Sequence, residues 1–132
     1  MITQIDSPFL IPSILALAQH IDDIPIQALE KMLTEGIADK NTKILVEKKE
    51  EDVRGFVFAN IAEFQGEDVV FIQACYISPK TPNIGFELLK RLKDWAKEKD
   101  IKGLVMMTSR NPKSWTRKYG FKHALNIMKR RV

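Results

Sequence analysis

The sequence predicts an α/β (α+β) fold, a mixed central β-sheet flanked by helices. Two apolar runs, Val69 to Ile77 and Gly103 to Thr108, bracket an amphipathic stretch that begins near Ile84. That order of strand, helix and strand usually closes as a parallel pair with a right-handed crossover. Further upstream, strand-like runs are joined by short charged turns, and two helical stretches precede them.

Taken from the N-terminus, Pro8 to His20 and Pro25 to Gly36 read as two short helices. Pro25 suits a first turn and Gly36 a stop. Ile26, Leu29, Leu33 and Ile37 recur at helical spacing and mark a buried stripe. Two strands follow, Lys43 to Lys48 and Val53 to Ala62, joined by Lys49-Glu50-Glu51-Asp52. The turn Gln65-Gly66-Glu67-Asp68 leads into Val69 to Ile77, which is apolar and β-branched enough for the middle of a sheet.

This central strand breaks at Ser78-Pro79, passes through Lys80-Thr81-Pro82-Asn83 and enters a helix near Ile84. A helix start presents unpaired N–H groups and a partial positive charge, so it stabilises a phosphate without a charged side chain. Ile84, Leu88, Leu92 and Trp95 form the helix's apolar stripe, widened by Leu89 and Ala96. On the other face Glu87 with Arg91 and Lys90 with Asp94 are spaced for ion pairs of about 0.3 kcal/mol each. Gly85, in the first turn, lets another backbone or a ligand approach closely. Beyond the second strand, Asn111 is a good N-cap, Pro112 fits the first helical position and Gly120 the position past the end. They frame a helix from Pro112 to Tyr119, after which Phe121 packs back and His123 to Met128 forms a final strand.

With 132 residues the chain supports one hydrophobic core and not two. No run approaches the roughly 20 apolar residues of a membrane span, so no membrane partner is expected. The apolar segment Phe9 to Ala18 follows Asp6, lacks a basic flank and is broken by Pro12, unlike a signal peptide. A single cysteine fits a reducing compartment, and a cytoplasmic location is expected. Cys75 lies inside an apolar strand, as a core residue does. His20 and His123 have no metal-ligand spacing, and no metal site is expected. Charge is uneven: residues 101–132 hold nine of the 21 Lys/Arg and none of the 17 Asp/Glu. Such a segment attracts phosphates, whether of a cofactor or of nucleic acid, or forms a solvated basic face. No nucleic-acid reading motif accompanies it.

The order strand, Ser78-Pro79, Lys80-x-x-Asn83-x-Gly85, Leu88-Leu89, Trp95-Ala96, then Asn111-x-x-Ser114 and Gly120-Phe121 resembles the GCN5-related N-acetyltransferases. The resemblance covers roughly residues 43 to 129. In that family a Gln/Arg-x-x-Gly-x-Gly/Ala loop holds the pyrophosphate of acetyl-CoA on its backbone amides. Here Lys80 stands at the basic position, Asn83 at the first glycine and Gly85 at the second, with Ile84 between them. Two of the three signature positions are therefore changed. Asn111 joins the implied cofactor-binding set, and the amides of Tyr76, Ile77 and Ser78 are implied to pair with the pantetheine arm and help polarise the thioester carbonyl. Only Met1 to Ile5 is left for the family's first strand.

The family's tyrosine, which protonates the departing thiolate, falls at Thr116 counted back from Gly120-Phe121 and at Lys118 counted forward from Asn111. Tyr119 is the nearby candidate, the alternative being an aromatic packed beside Trp115. The two N-terminal helices are implied to shape the acceptor pocket, where Asp22, Asp23 and Glu63 would favour an amine, and Gln73 or Glu63 would position a water. The resemblance thus implies an acetyl-CoA-dependent N-acetyltransferase with an amine acceptor attacking directly in a ternary complex. The alternative is a domain of the same fold that has lost catalysis and binds through its basic C-terminal third. A third reading is an unrelated α/β fold that binds nucleic acid.

Overall fold

Among the described residues, five strands form one sheet whose spatial order follows the chain: β1 (Ile2–Gln4), β2 (Thr42–Lys49), β3 (Asp52–Phe64), β4 (Glu67–Ile77) and β5 (Leu104–Met106). The computed structural model describes residues 1–20, 24–50, 52–78, 81–107, 117–122, 124, 128 and 130. The first three strand pairs are antiparallel and β4–β5 is parallel, which makes the sheet mixed. The helix α3 (Pro82–Glu98) makes the crossover between the parallel strands. A 3₁₀ turn (Pro8–Leu10) leads into α1 (Ile11–Ala18), and α2 (Ile26–Gly36) follows. The short N-terminal strand is present, and α3 begins two residues earlier than the stripe indicated, because Pro82 fits the first helical turn.

The middle strands read as continuous apolar runs because both faces of the sheet are covered. On one face α1 and α2 pack Ile14, Leu29 and Leu33 against Ile44, Val46, Phe56 and Phe58. On the other, α3 packs Leu88, Leu92 and Trp95 against Leu45, Val57, Val70 and Ile72. Neighbouring residues on β2 and β3 alternate between these two cores, as the pleat requires. On the solvent side of α3 neither Glu87–Arg91 nor Lys90–Asp94 closes as an ion pair; among the described residues the i,i+4 pair that forms is Lys31–Glu35.

β4 breaks the alternation once. Phe58 pairs with Ala74 and Ala59 with Ile72, so Gln73 is an extra residue with no partner of its own on β3. Before this bulge Val70 and Ile72 face α3; after it Cys75 and Ile77 do, while Ala74 and Tyr76 face α1 and α2. A bulge bends its strand and sharpens the twist. Among the described residues the ladder to β5 covers Val70, Phe71 and Ile72. Among the described residues the bend and the end of parallel pairing therefore fall at the same place.

A second bulge, between Glu47 and Lys48 of β2, leaves Arg54 as the extra residue on β3. Glu47 is buried, and its Oε1 accepts hydrogen bonds from the Met1 ammonium at 2.9 Å and Arg54 Nη2 at 2.8 Å. Burial alone would push this carboxyl up, but the hydrogen bonds and charges of its two partners outweigh it and hold it below the ordinary 4.5. Because the folded value is the lower one, the stabilisation is present above the unfolded value and is lost as pH falls through the folded one. Glu47→Gln is expected to cost about 2 kcal/mol near pH 7. Urea denaturation at pH 7 and pH 3 checks this, since the gap between variant and parent should shrink at the lower pH.

Candidate active site

The end of β4, the start of α3 and Tyr119 meet on one side of the sheet, and His20 approaches the same strand from the other. Beyond the bulge, Gln73 to Ile77 runs past the last residue of β5 paired to β4. Ser78 then turns the chain. Its carbonyl accepts from Thr81 N–H at 3.0 Å and Thr81 Oγ1 at 3.3 Å, and Ile84 N–H donates to the Thr81 carbonyl at 3.2 Å. These bonds hold the first turn of α3 close behind the strand end. Proline at the first helical position has no N–H, and the Ile84 N–H is already used, so this corner offers an anion fewer donors than a glycine-rich turn would.

Of the predicted cofactor residues, Tyr76, Ile77 and Ser78 lie in line at the strand end, all half-buried. Ile84 is buried against the sheet, Asn83 is exposed and Gly85 is buried in the first turn. Lys80 and Asn111 lie outside the described residues, as do Asp22, Asp23, Trp115 and Thr116. Most of the expected helix Pro112 to Tyr119 and of the expected final strand also lies outside them. Residues 117–119 are helical, and Gly120 follows with φ of +73°, a left-handed conformation suited to glycine just past a helix end.

Tyr119 does meet Gly85. A Cβ built on Gly85 would overlap the Tyr119 hydroxyl, lie 2.8 Å from Tyr119 Cζ and 2.9 Å from Ile77 Cδ1. The bare face of this glycine is therefore covered by a phenol ring, which also packs against Phe86 with centroids 5.0 Å apart. Burial pushes the phenol above its ordinary value of 10.0, and Coulombic interaction with Cys75 adds to this, so Tyr119 keeps its proton at neutral pH. Gly85→Ala is expected to force the ring aside at a cost of about 1–3 kcal/mol. Near-ultraviolet circular dichroism reads the ring movement, and urea denaturation reads the cost.

One acceptor-side expectation needs correction. Glu63 pairs with Asp68 beside the β3–β4 turn, nine residues along β4 from Ile77, or roughly 30 Å of extended strand. It cannot serve the strand end. Gln73, the other residue expected to position a water, donates from Nε2 to Asn60 Oδ1 at 2.9 Å, which ties its amide to β3. A feature missed in the sequence stands at the strand end instead of Glu63: the His20 ring stacks on Tyr76, centroids 5.4 Å apart and planes 23° from parallel. The pair is 56 residues apart, so only the tertiary fold could reveal it.

A cavity of about 720 Å³ starts at Tyr119 and follows α3 to Asp100. Lys93, Lys97, Lys102 and Lys122 line it, over Leu89 and Ile101. It gathers part of the basic C-terminal third on one groove. Among the described residues no helix is long and apolar enough to cross a membrane, and no group of three or more His, Cys, Asp or Glu is placed to hold a metal.

For the acetyl-CoA implied by the family resemblance, the fitting feature is the strand opening: Tyr76 to Ser78 extends past its parallel neighbour and ends at a helix start. The Gly85 corner departs from the expectation of an open cradle, because Tyr119 occupies its face.

No family model matches the sequence, and no curated protein matches it. Solved structures do. The chain is similar to the aminoglycoside 6'-N-acetyltransferase AAC(6')-Ih from Acinetobacter baumannii, with a TM-score of 0.81 and 16% identity over 100% of this chain and 98% of that one. It is similar to AAC(6')-Iy in complex with the bisubstrate analogue CoA-S-monomethyl-acetylneamine, at a TM-score of 0.80 and 17% identity over 100% and 97%. A transcriptional regulator from Bacillus halodurans is also similar, at 0.75 and 19% over 100% and 99%. With its mixed five-stranded sheet, its crossover helix on one face and its two N-terminal helices on the other, the chain has the fold of the GCN5-related N-acetyltransferases.

Proposed function

We propose that the chain is an acetyl-CoA-dependent N-acetyltransferase acting on an amine acceptor. The observation that carries this reading is the coincidence, among the described residues, of the Gln73 bulge with the end of β4–β5 pairing, shortly before the turn into α3. Support comes from the likeness to AAC(6')-Iy, a protein captured with a CoA–aminoglycoside bisubstrate analogue. Acetyl-CoA supplies an activated acetyl thioester. The backbone of Tyr76, Ile77 and Ser78 orients the pantetheine arm, and the exposed Asn83 offers the first turn of α3 to its phosphates; Ile84 supports that turn from the core, Gly85 joins when Tyr119 leaves its face, and Lys80 and Asn111 are further contacts. Tyr119 holds a proton at a half-buried phenol for the departing thiolate. The site's location is taken as cytoplasmic, where acetyl-CoA and reduced thiols coexist.

Calorimetric titration of acetyl-CoA, beside a CoA control, tests the reading. Saturable one-site binding is expected, followed by release of free thiol when amines are added. Absence of binding at millimolar acetyl-CoA, with the protein folded by circular dichroism, overturns it. A second reading rests on the lysine-lined groove along α3: a domain of this fold that binds an anionic partner without turnover. Failure of the titration would transfer the weight to that groove.

A further inference from the structure

We propose that His20 is the group that takes the proton from the acceptor amine. The inference rests on the acetyltransferase reading and assigns a residue that the sequence left without a role. His20 follows α1 in a turn, its N–H donating to the Leu17 carbonyl at 3.1 Å, so its backbone is anchored. Its ring is exposed on one side and stacked on Tyr76 on the other. Tyr76 is the second residue of β4 past the bulge, after Ala74, to turn toward α1 and α2. The imidazole therefore stands beside the strand segment assigned to the thioester arm, on the face built by the two helices.

Tyr119 belongs to the opposite face. It packs with the α3-side core, against Gly85 and Phe86. The two titratable rings flank the end of β4 from opposite faces, so an acetyl group at the strand edge between them would have one ring on the side of the nucleophile and the other on the side of the leaving group. The nitrogen forms a bond to the acetyl carbonyl carbon, and the carbon–sulfur bond breaks. The proton lost by nitrogen goes to the imidazole, and the thiolate takes the phenol proton. Solvent then carries one proton from the imidazolium to the phenolate and restores both residues.

α1 contributes no charged residue to the surroundings of the imidazole, and the charged residues of β4, Glu67 and Asp68, lie at the far end of that strand. Among the described residues the titratable group stacked on His20 is the Tyr76 phenol. Imidazole is the side chain suited to accept and release a proton near neutral pH.

The experiment pairs His20→Phe, which keeps an aromatic ring on Tyr76, with His20→Ala, which opens room for added imidazole. Neamine, spermidine and polylysine serve as acceptors, thiol release is followed from pH 5.5 to 9, and acetyl-CoA binding is measured by calorimetry. For His20→Phe we expect kcat to fall about 100-fold with acetyl-CoA binding unchanged, and the acidic limb of the pH profile to disappear. Added imidazole should restore part of the rate of His20→Ala. A His20→Phe variant that keeps its rate and its acidic limb overturns the assignment and leaves the cofactor reading intact. Binding of acetyl-CoA without turnover of any of the three acceptors does the same. Absence of acetyl-CoA binding in the parent protein is the separate failure of the acetyltransferase reading itself.

Discussion

Replacing Tyr119 by phenylalanine is expected to lower kcat about 1000-fold while acetyl-CoA binding stays within about twofold. Phenylalanine keeps the contact with Phe86 and still fits over Gly85, so folding and the cofactor corner are preserved while the proton is lost. The pH dependence gives a second check. The phenol is raised above its ordinary 10.0 by burial and by Cys75, so the parent should hold its rate up to and beyond that value and lose it as the phenol ionises. The same sign holds for stability: the favourable contribution of the neutral phenol is complete below the unfolded value and fades as pH rises through the folded one. Tyr119→Phe should show neither change. A variant with kcat within fivefold of the parent would remove Tyr119 from the chemistry and leave it a packing residue.

The largest loss of stability is expected from Phe56→Ala, about 3–5 kcal/mol. Phe56 heads the largest fully buried side chains, at 0% exposure, in the core beneath α1 and α2. Removing its ring deletes buried apolar surface and leaves a cavity that the two helices and β2 cannot fill without moving. For a domain whose whole stability is about 5–15 kcal/mol, that is a large share. Phe56 also pairs directly across β3–β4 with Tyr76. The cavity should therefore loosen the platform on which His20 rests, and acceptor turnover should suffer more than acetyl-CoA binding. Urea denaturation measures the first effect; a loss below about 1 kcal/mol would mean that the site collapses around the missing ring.

The sequence made the elements legible wherever local chemistry decides them. The apolar stripe Ile84, Leu88, Leu92 and Trp95 identified α3, and the strand–helix–strand order correctly implied a parallel β4–β5 pair. The close approach allowed by Gly85 was also legible, but not what approaches it: that is a tyrosine 34 residues later, brought there by the tertiary fold. Glu63 was misplaced because a strand's residue order says nothing about which end faces a ligand; the register put it at the β3–β4 turn. The bulge left one trace, the polar Gln73 within an apolar run, and such an interruption alone does not distinguish an extra residue from an ordinary exposed position. His20 carried no signal, since stacking on Tyr76 depends on how α1 lies across the sheet.

The single extra residue in β4 acts as a parity switch. Upstream of Gln73 the even-numbered positions Val70 and Ile72 belong to α3, and downstream the odd-numbered Cys75 and Ile77 do. Removing one codon at Gln73 would restore a uniform count along the strand. Ala74 and Tyr76 would still face α1 and α2, and Cys75 and Ile77 would still face α3, because the bulge already absorbs the extra residue. The bulge thus lets a gene carry one inserted codon in the middle of this strand while each downstream side chain stays on its own side of the sheet.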